Sequence, residues 1–420
     1  VTGDVMRTVV RRANLFDAAA GVLRPGTTIV IEGGRIVGVE PGRDPPVDDV
    51  ARTIDAAGRI VLPGLIDAHV HVAATSADLV GLAMQPPSLV TAESQAVLAG
   101  MLDRGFTTVR DAAGADWGLQ AAVDRGLFAG PRLSISVQPV TQTGGHADMR
   151  PRAVRSREFH CTCAGLGLVG AIADGVGEVR RAVREQVRQG ANQIKIMAGG
   201  GVSSPTDPID GTQFSLDELR AAVEEAEAAN LYVLAHAYSP RAVTRAVQAG
   251  IRSIEHGNLI DEHAAREMKR CGAYYVPTLS TYVALAEEGS RLGWSTEMLA
   301  KLDRVKDAGL EAIRLARAEG VPIVFGTDLL GAMHARQSGE FTIRAAVQPA
   351  LEVLQGATIT AARLMRREHE LGQIVPGALA DLLIVEGDPT QDATVLAHPE
   401  RSIRLLMQGG RVVRECSRGE

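Results

Sequence analysis

Aromatic residues are scarce in this chain: 7 Phe, 5 Tyr and 2 Trp make up 3% of 420 residues. A surface that stacks nucleic-acid bases needs exposed rings interleaved with basic side chains, so no nucleic-acid partner is expected. The apolar share is nonetheless 45%, so a large core must be built mostly from Ala, Val, Leu and Ile. An excess of one charge is also lacking. The 44 Lys and Arg are interspersed with 50 Asp and Glu, for a net charge of −6, which points to no polyanionic partner. No apolar run reaches the roughly 18 residues of a membrane span, so no membrane partner is expected either. Cysteine is sparse: Cys161, Cys163, Cys271 and Cys416 are scattered, which argues against a disulfide framework and fits a reducing compartment. Cys161 and Cys163 lie beside His160, but without zinc-knuckle spacing or a second Cys pair, and read as loop residues. No signal-peptide pattern is visible, the chain begins at Val1 rather than Met, and a cytoplasmic location is expected.

At 420 residues the chain suits one large barrel of roughly 250 residues or more plus a smaller unit. Up to about Asp55 it reads as short strands broken by turns, and TTIVIEGGRIVGVE predicts a hairpin turning at Gly-Gly. ADLLIVEGDP and IRLLMQGGRVVRE repeat this style at the far end, again with a Gly-Gly turn. The two ends are expected to pair into one discontinuous β-sandwich domain, residues 1–60 and 357–420. Between them lie eight β-branched apolar runs: IVLPGLIDAHV, FTTVRD, RLSISVQPV, QIKIMA, LYVLAHA, IRSIEHG, AYYVPTLS and PIVFGTD. Amphipathic stretches such as EVRRAVREQVRQG and LDELRAAVEEAEAAN separate most of them, each closed by Gly or Asn. Eight strands with helical crossovers predict an α/β fold, a TIM-type (β/α)₈ barrel over residues 61–356. A doubly wound open sheet has the same alternation, but no Gly-x-Gly-x-x-Gly follows the first strand.

In such barrels active sites form where strands end. His69 and His71 close the first strand two residues apart, so both leave one face. Lys195 lies in the fourth strand, His236 ends the fifth, His256 the sixth and Asp328 the eighth. Imidazole and carboxylate are the usual ligands of zinc-like cations. One histidine at a strand end is ordinarily a hydrogen-bonded core residue; four with an aspartate at the same barrel end point to metal. Lys195 leaves two readings open. As an ammonium it would repel cations and turn away to a carboxylate. Carboxylated by CO₂, it would be an anionic bridge, and its apolar neighbours Ile194, Ile196 and Met197 favour the neutral amine that reacts. The Gly199-Gly200-Gly201 run lacks the Lys and hydroxyl of a P-loop and reads as a flexible loop over the metal site. GVSSPTDPIDGTQ continues it as an ordered rim loop.

Together VLPGLIDAHVH, QIKIMAGGG with its single Lys, LAHAYS, SIEHGNLID, FGTD and GQIVPGALADLLIVEGDP resemble the amidohydrolase superfamily along nearly the whole chain. PTDPIDGTQFS and TGGHAD resemble its branch of binuclear prolidase-like dipeptidases and carboxypeptidase-like amidases, which includes ochratoxin-hydrolysing members. The resemblance implies that His69, His71 and Asp328 bind one divalent ion and His236 and His256 another. Carboxylated Lys195 would bridge the two ions, zinc first among the candidates. It further implies attack on an amide carbonyl by a metal-activated water, with Asp328 as general acid and base. The expected substrate is a small molecule, a dipeptide (Xaa-Pro or another apolar C-terminal residue) or an N-acyl amino acid, and a homo-oligomer is expected. The same ligands could serve a lactonase, cyclic amidase or phosphotriesterase. A scaffold without chemistry is disfavoured because all six ligands are present, and a mononuclear deaminase because the lysine would have no purpose.

Substrate contacts are less defined. His146, after the third strand, could bond the scissile carbonyl oxygen or lie in solvent. Tyr238 could hold a substrate carboxylate or pack at the rim, and Arg241 is a weaker candidate because helix-start arginines are usually solvated. His334 follows the eighth strand, where pockets form. His160, His263, His369 and His398 lie away from strand ends and are given no role.

Overall fold

The computed structural model describes residues 7–42, 50–150, 153–154, 168–204, 207–288 and 294–416. His160, Cys161 and Cys163 lie outside the described residues. The chain opens with β1 (Arg7–Asp17), β2 (Val22–Glu32), β3 (Arg35–Pro41), β4 (Val50–Asp55) and β5 (Ile60–Pro63). Then come β6 (Leu65–Val70), β7 (Phe106–Asp111), β8 (Arg132–Ile135), β9 (Val140–Thr141) and β10 (Ala171–Ile172). They are followed by β11 (Ile194–Met197), β12 (Val233–Ala237), β13 (Ser253–His256) and β14 (Tyr274–Val276). The far end adds β15 (Leu382–Val385), β16 (Ile403–Gln408) and β17 (Arg411–Glu415).

Both chain ends share one sheet, ordered β17-β16-β15-β5-β1-β2-β3, with β4 also paired to β1. Side chains alternate across it, as a strand's period of two requires. Val61, Leu382, Ile384, Leu405 and Met407 turn to a core of their own with Val10, Ile29 and Ile36. Ile60, Leu62, Leu383, Val385 and Leu406 turn the other way, into the larger core shared with the α/β part. The two Gly-Gly hairpins meet: at Gly33 and Gly34 φ is 56° and 80°, and at Gly409 and Gly410 55° and 77°. A Cβ on Gly34 would lie 2.9 Å from the Gly409 carbonyl oxygen, and one on Gly410 2.9 Å from the Gly34 Cα.

The parallel strands close into a ring. β6 pairs β7 and β7 pairs β8, and β9 pairs β11, which pairs β12, then β13, then β14. Two of the eight expected runs are broken. RLSISVQPV is split into β8 and β9 where Val137 takes φ 63°, and IVLPGLIDAHV is split at Gly64. A Cβ at Gly64 would stand 2.1 Å from Thr107 Oγ1, so the chain can cross there from the end-strand sheet into the ring. The eighth run forms no ladder strand but is hydrogen-bonded on both sides. Val324 N–H donates to the Tyr275 carbonyl (2.8 Å), and the Phe325 carbonyl accepts from Ala68 N–H (2.9 Å), which joins β14 to β6.

The amphipathic stretches are helices Val176–Arg188 and Leu216–Ala228, the second opened by a Ser215–Glu218 capping box. Gly190 and Asn230 follow them at positive φ, 93° and 60°. Among the described residues no helix is long and apolar enough to cross a membrane.

Candidate metal centre

His69, His71, Lys195, His236, His256 and Asp328 line one cavity at the C-terminal ends of the strands, together with His146 and Tyr238. The rings are close neighbours: centroids are 5.3 Å apart for His69–His71, 5.0 Å for His69–His256 and 4.6 Å for His236–His256. His69, His256 and Asp328 offer ligand atoms within 4.8 Å of one another and could hold a metal ion.

Each histidine is anchored through one nitrogen. His69 Nδ1 donates to Glu255 Oε2 (2.7 Å), His71 Nδ1 to the Ala113 carbonyl (2.8 Å) and His236 Nε2 to the Gly200 carbonyl (3.1 Å). Carbonyls only accept, and the Arg110 guanidinium keeps Glu255 ionised, so each of these three nitrogens carries a proton and, in the neutral ring, the other is a lone pair. His256 Nδ1 shares a 2.8 Å hydrogen bond with the Thr278 hydroxyl. The backbone is strained here: φ is 73° at His256, 49° at Thr278 and 56° at Asp328, in the left-handed region. Such outliers persist where surrounding contacts over-determine them, and they cluster at functional sites.

These donors fit a divalent ion. His69 Nε2 is buried without a hydrogen-bond partner, yet lies 3.4 Å from Asp328 Oδ1. A lone pair facing a carboxylate is repelled unless a cation or proton stands between them. His71 Nε2 is 3.0 Å from the same oxygen, and His256 Nδ1 3.8 Å from Asp328 Oδ2. Burial opposes charge on His71, but the hydrogen bond and charge of Asp328 outweigh it and raise its pKa. Burial likewise opposes the Asp328 carboxylate, and the imidazoles around it, His69 first, overcome that and hold it well below the usual range. Lys195 is 1% exposed. Burial pulls its amine down to about 8 despite the opposing charges of Glu255 and Asp328.

Buried carboxylates brace the segments that carry the ligands. Asp67 accepts from Thr327 Oγ1 (2.6 Å), Gln337 Nε2 (2.9 Å) and His69 N–H (3.1 Å), and so ties the first strand to the eighth run. Asp111 Oδ2 accepts from Val72 N–H (2.8 Å), beside His71. Burial pushes both carboxyls up to about 6.

The other expected residues divide. His146 stacks on His236 at 4.2 Å, and its Nδ1 lies 3.4 Å from Asp207 Oδ2. The triple-glycine run serves close approach: a Cβ on Gly201 would be 1.8 Å from His146 Cε1. The Tyr238 hydroxyl is bonded to the Tyr282 hydroxyl (2.8 Å), and its ring lies over His256. Arg241 is not brought to the site: it is exposed in the first turn of helix Pro240–Gln248 and does not line the cavity. A short helix start at a strand end leaves a long polar side chain free to stay in water. His334 also lies outside the lining; its Nε2 donates to the Ala74 carbonyl (3.1 Å), a brace for the loop after β6. His263, His369 and His398 are exposed. Sequence reasoning passed over Glu255, Arg110, Asp207 and Tyr282. Charged residues inside the apolar runs SIEHG and FTTVRD were a usable signal, because a buried charge must be paired. Asp207 carried none.

The chain belongs to the amidohydrolase family, which it matches over residues 60–413, and the family with the relatives that follow makes it a hydrolase of amide or peptide bonds. It is 34% identical over 373 residues to the ochratoxinase of Aspergillus niger, covering 84% of this chain and 75% of that protein. A crystal structure of a prolidase complexed with N-methylphosphonate-L-proline has a TM-score of 0.94 and 48% identity, covering 98% of this chain and 100% of that one. A Xaa-Pro dipeptidase with methionine bound in its active site has a TM-score of 0.85 and 31% identity, covering 97% and 99%.

Proposed function

We propose that the chain is a binuclear, metal-dependent amidohydrolase that cleaves dipeptides or N-acyl amino acids whose C-terminal residue is proline or another apolar residue, ochratoxin-type amides included. The observation that carries this reading is the set of histidines anchored through one nitrogen around Asp328 and Lys195. Its support in substrate class is the likeness to a prolidase, a Xaa-Pro dipeptidase and an ochratoxinase, together with apolar cavity walls that include Leu79, Pro139, Met197, Leu285 and Trp294. In this reading His69, His71 and Asp328 would hold one ion, His236 and His256 the other, and carboxylated Lys195 would serve both, with zinc the preferred metal. When bound, the ions polarise the carbonyl and lower the pKa of the attacking water.

The chain's own residues do the rest. Asp328, with a fifth of its side chain exposed, takes the proton of the attacking water and returns it to the leaving nitrogen as the C–N bond breaks. His146 has Nδ1 3.4 Å from Asp207 Oδ2, and its Nε2, when it carries a proton, donates to the scissile carbonyl oxygen. The Tyr238 hydroxyl, shared with Tyr282, is the group offered to the substrate carboxylate. The proposal includes the division into an end-strand domain (1–60 and 357–420) and a catalytic barrel (61–356), a homo-oligomer and a cytoplasmic location.

The test compares N-acyl amino acids and Xaa-Pro dipeptides with their methyl esters and with simple lactones and phosphotriesters, using zinc-loaded enzyme. A site built to hydrogen-bond a carboxylate rejects an analogue that leaves its donors unpaired. Methylation should therefore lower kcat/KM sharply, and Tyr238→Phe should narrow the gap between acid and ester. Esters and lactones cleaved as well as the acids would replace this reading with a lactonase.

A further inference from the structure

Glu255 stands behind the ligand set rather than in it. It is 0% exposed, as is Arg110, and neither lines the cavity. Its Oε2 accepts from His69 Nδ1 at 2.7 Å and from Arg110 Nη2 at 3.0 Å. Its Oε1 accepts from Arg110 Nη2 at 2.9 Å and from Ser253 Oγ at 2.6 Å. Arg110 Nε donates to the carbonyl of Ala68 (2.6 Å), the residue before His69, so the network grips the ligand through both ring and backbone. A buried ion pair seldom repays its desolvation, and a well-packed apolar pair would hold the fold as well. The pair therefore calls for a reason beyond stability.

The other anchors supply the contrast. His71 and His236 donate to neutral carbonyls and His256 meets a hydroxyl; of the four histidines, His69 has the charged partner. An ionised acceptor on Nδ1 fixes the tautomer and makes Nε2 a stronger donor to a metal. We infer that Glu255, held by Arg110, is a positioning residue for the ion-binding face of His69 and makes the His69 position the tighter of two unequal ion positions. Arg110 matters because it holds both Glu255 oxygens and the Ala68 carbonyl, and so sets the place and angle of the His69 ring.

This inference rests on the proposed metal centre. Its test is zinc competition against a chromophoric chelator, with wild type, Glu255→Gln and Glu255→Asp compared as metal-free protein reloaded in the presence of bicarbonate. Wild type should bind two ions with separable affinities. Glu255→Gln should weaken the tighter one by about 10–100-fold and leave the looser one unchanged, and Glu255→Asp should restore part of the loss. Wild type loading two ions with Glu255→Gln identical to it overturns the inference alone, whereas wild type that loads none overturns the metal reading beneath it. Should Glu255→Gln fail to fold, nitrogen-15 NMR of the metal-free wild type decides. His69 should carry a proton on Nδ1, in the hydrogen bond to Glu255, and a bare Nδ1 refutes the assignment.

Discussion

Metal-depleted protein returned to zinc at a series of pH values, under a fixed level of dissolved CO₂, should regain its ions in step with the neutral form of Lys195. Carboxylation needs an amine lone pair, which the ammonium lacks. Burial between Ile194 and Ile196, both fully enclosed, pulls the Lys195 pKa from 10.5 to about 8. At pH 7 that leaves about one-tenth of the side chain neutral, roughly 300-fold more than an unperturbed lysine would offer. The sign follows: the neutral fraction rises as pH rises through about 8, so reloading should quicken close to tenfold between pH 6 and 7 and level off above about 9. Retained zinc and recovered activity are the readouts, and carbon-13-labelled CO₂ should give a carbamate signal that Lys195→Ala lacks. Reloading that is flat from pH 6 to 9 and indifferent to CO₂ would refute the bridging lysine, as would a fully loaded, active Lys195→Ala protein.

Asp328→Asn should retain much of the metal but lower kcat by about 10²–10⁴-fold, the usual worth of positioned proton transfer; near-normal turnover would leave Asp328 a ligand at most. Arg241→Ala should leave KM for a free-acid substrate unchanged, because the exposed guanidinium does not line the cavity; a raised KM would return Arg241 to the contact set. Gly34→Ala forces a side chain into left-handed backbone 2.9 Å from the Gly409 carbonyl. It should cost about 1–3 kcal/mol in a denaturant melt, and an unchanged midpoint would mean that the two hairpins do not meet. Phe106→Ala removes a fully buried ring packed 5.5 Å from Phe325 and should cost about 3–5 kcal/mol, checked by the same melt.

The alternation of apolar runs and amphipathic stretches was enough to read the ring, since a parallel strand buried on both faces must be apolar along its length. The Gly-Gly turns placed two hairpins, because φ above zero at two successive residues leaves few other choices. Breaks inside a run were not legible. Val137 adopts φ 63° in the middle of RLSISVQPV, although valine there carries no turn signal and only packing imposes it. Gly64 was visible as a residue, but its reason, the hydroxyl of Thr107 in the adjacent strand, is a tertiary contact.

The ligands and their anchors differ in the mark they leave. A histidine at the end of an apolar strand breaks the pattern of its own segment, so His69, His236 and His256 stand out singly and become a set once the strands are counted. The groups that aim those rings do not. Glu255 meets His69 across 186 positions, and SIEHG alone gives no partner for it beyond the rule that a buried charge has one. His71 and His236 are aimed by the carbonyls of Ala113 and Gly200, and a backbone acceptor puts no demand on residue type. Half of what fixes the geometry of this centre is therefore written in main-chain positions, where substitutions act through local conformation. Gly201, pressed against His146 at a distance no Cβ could tolerate, shows how a residue without chemistry can decide where a ring that has it will stand.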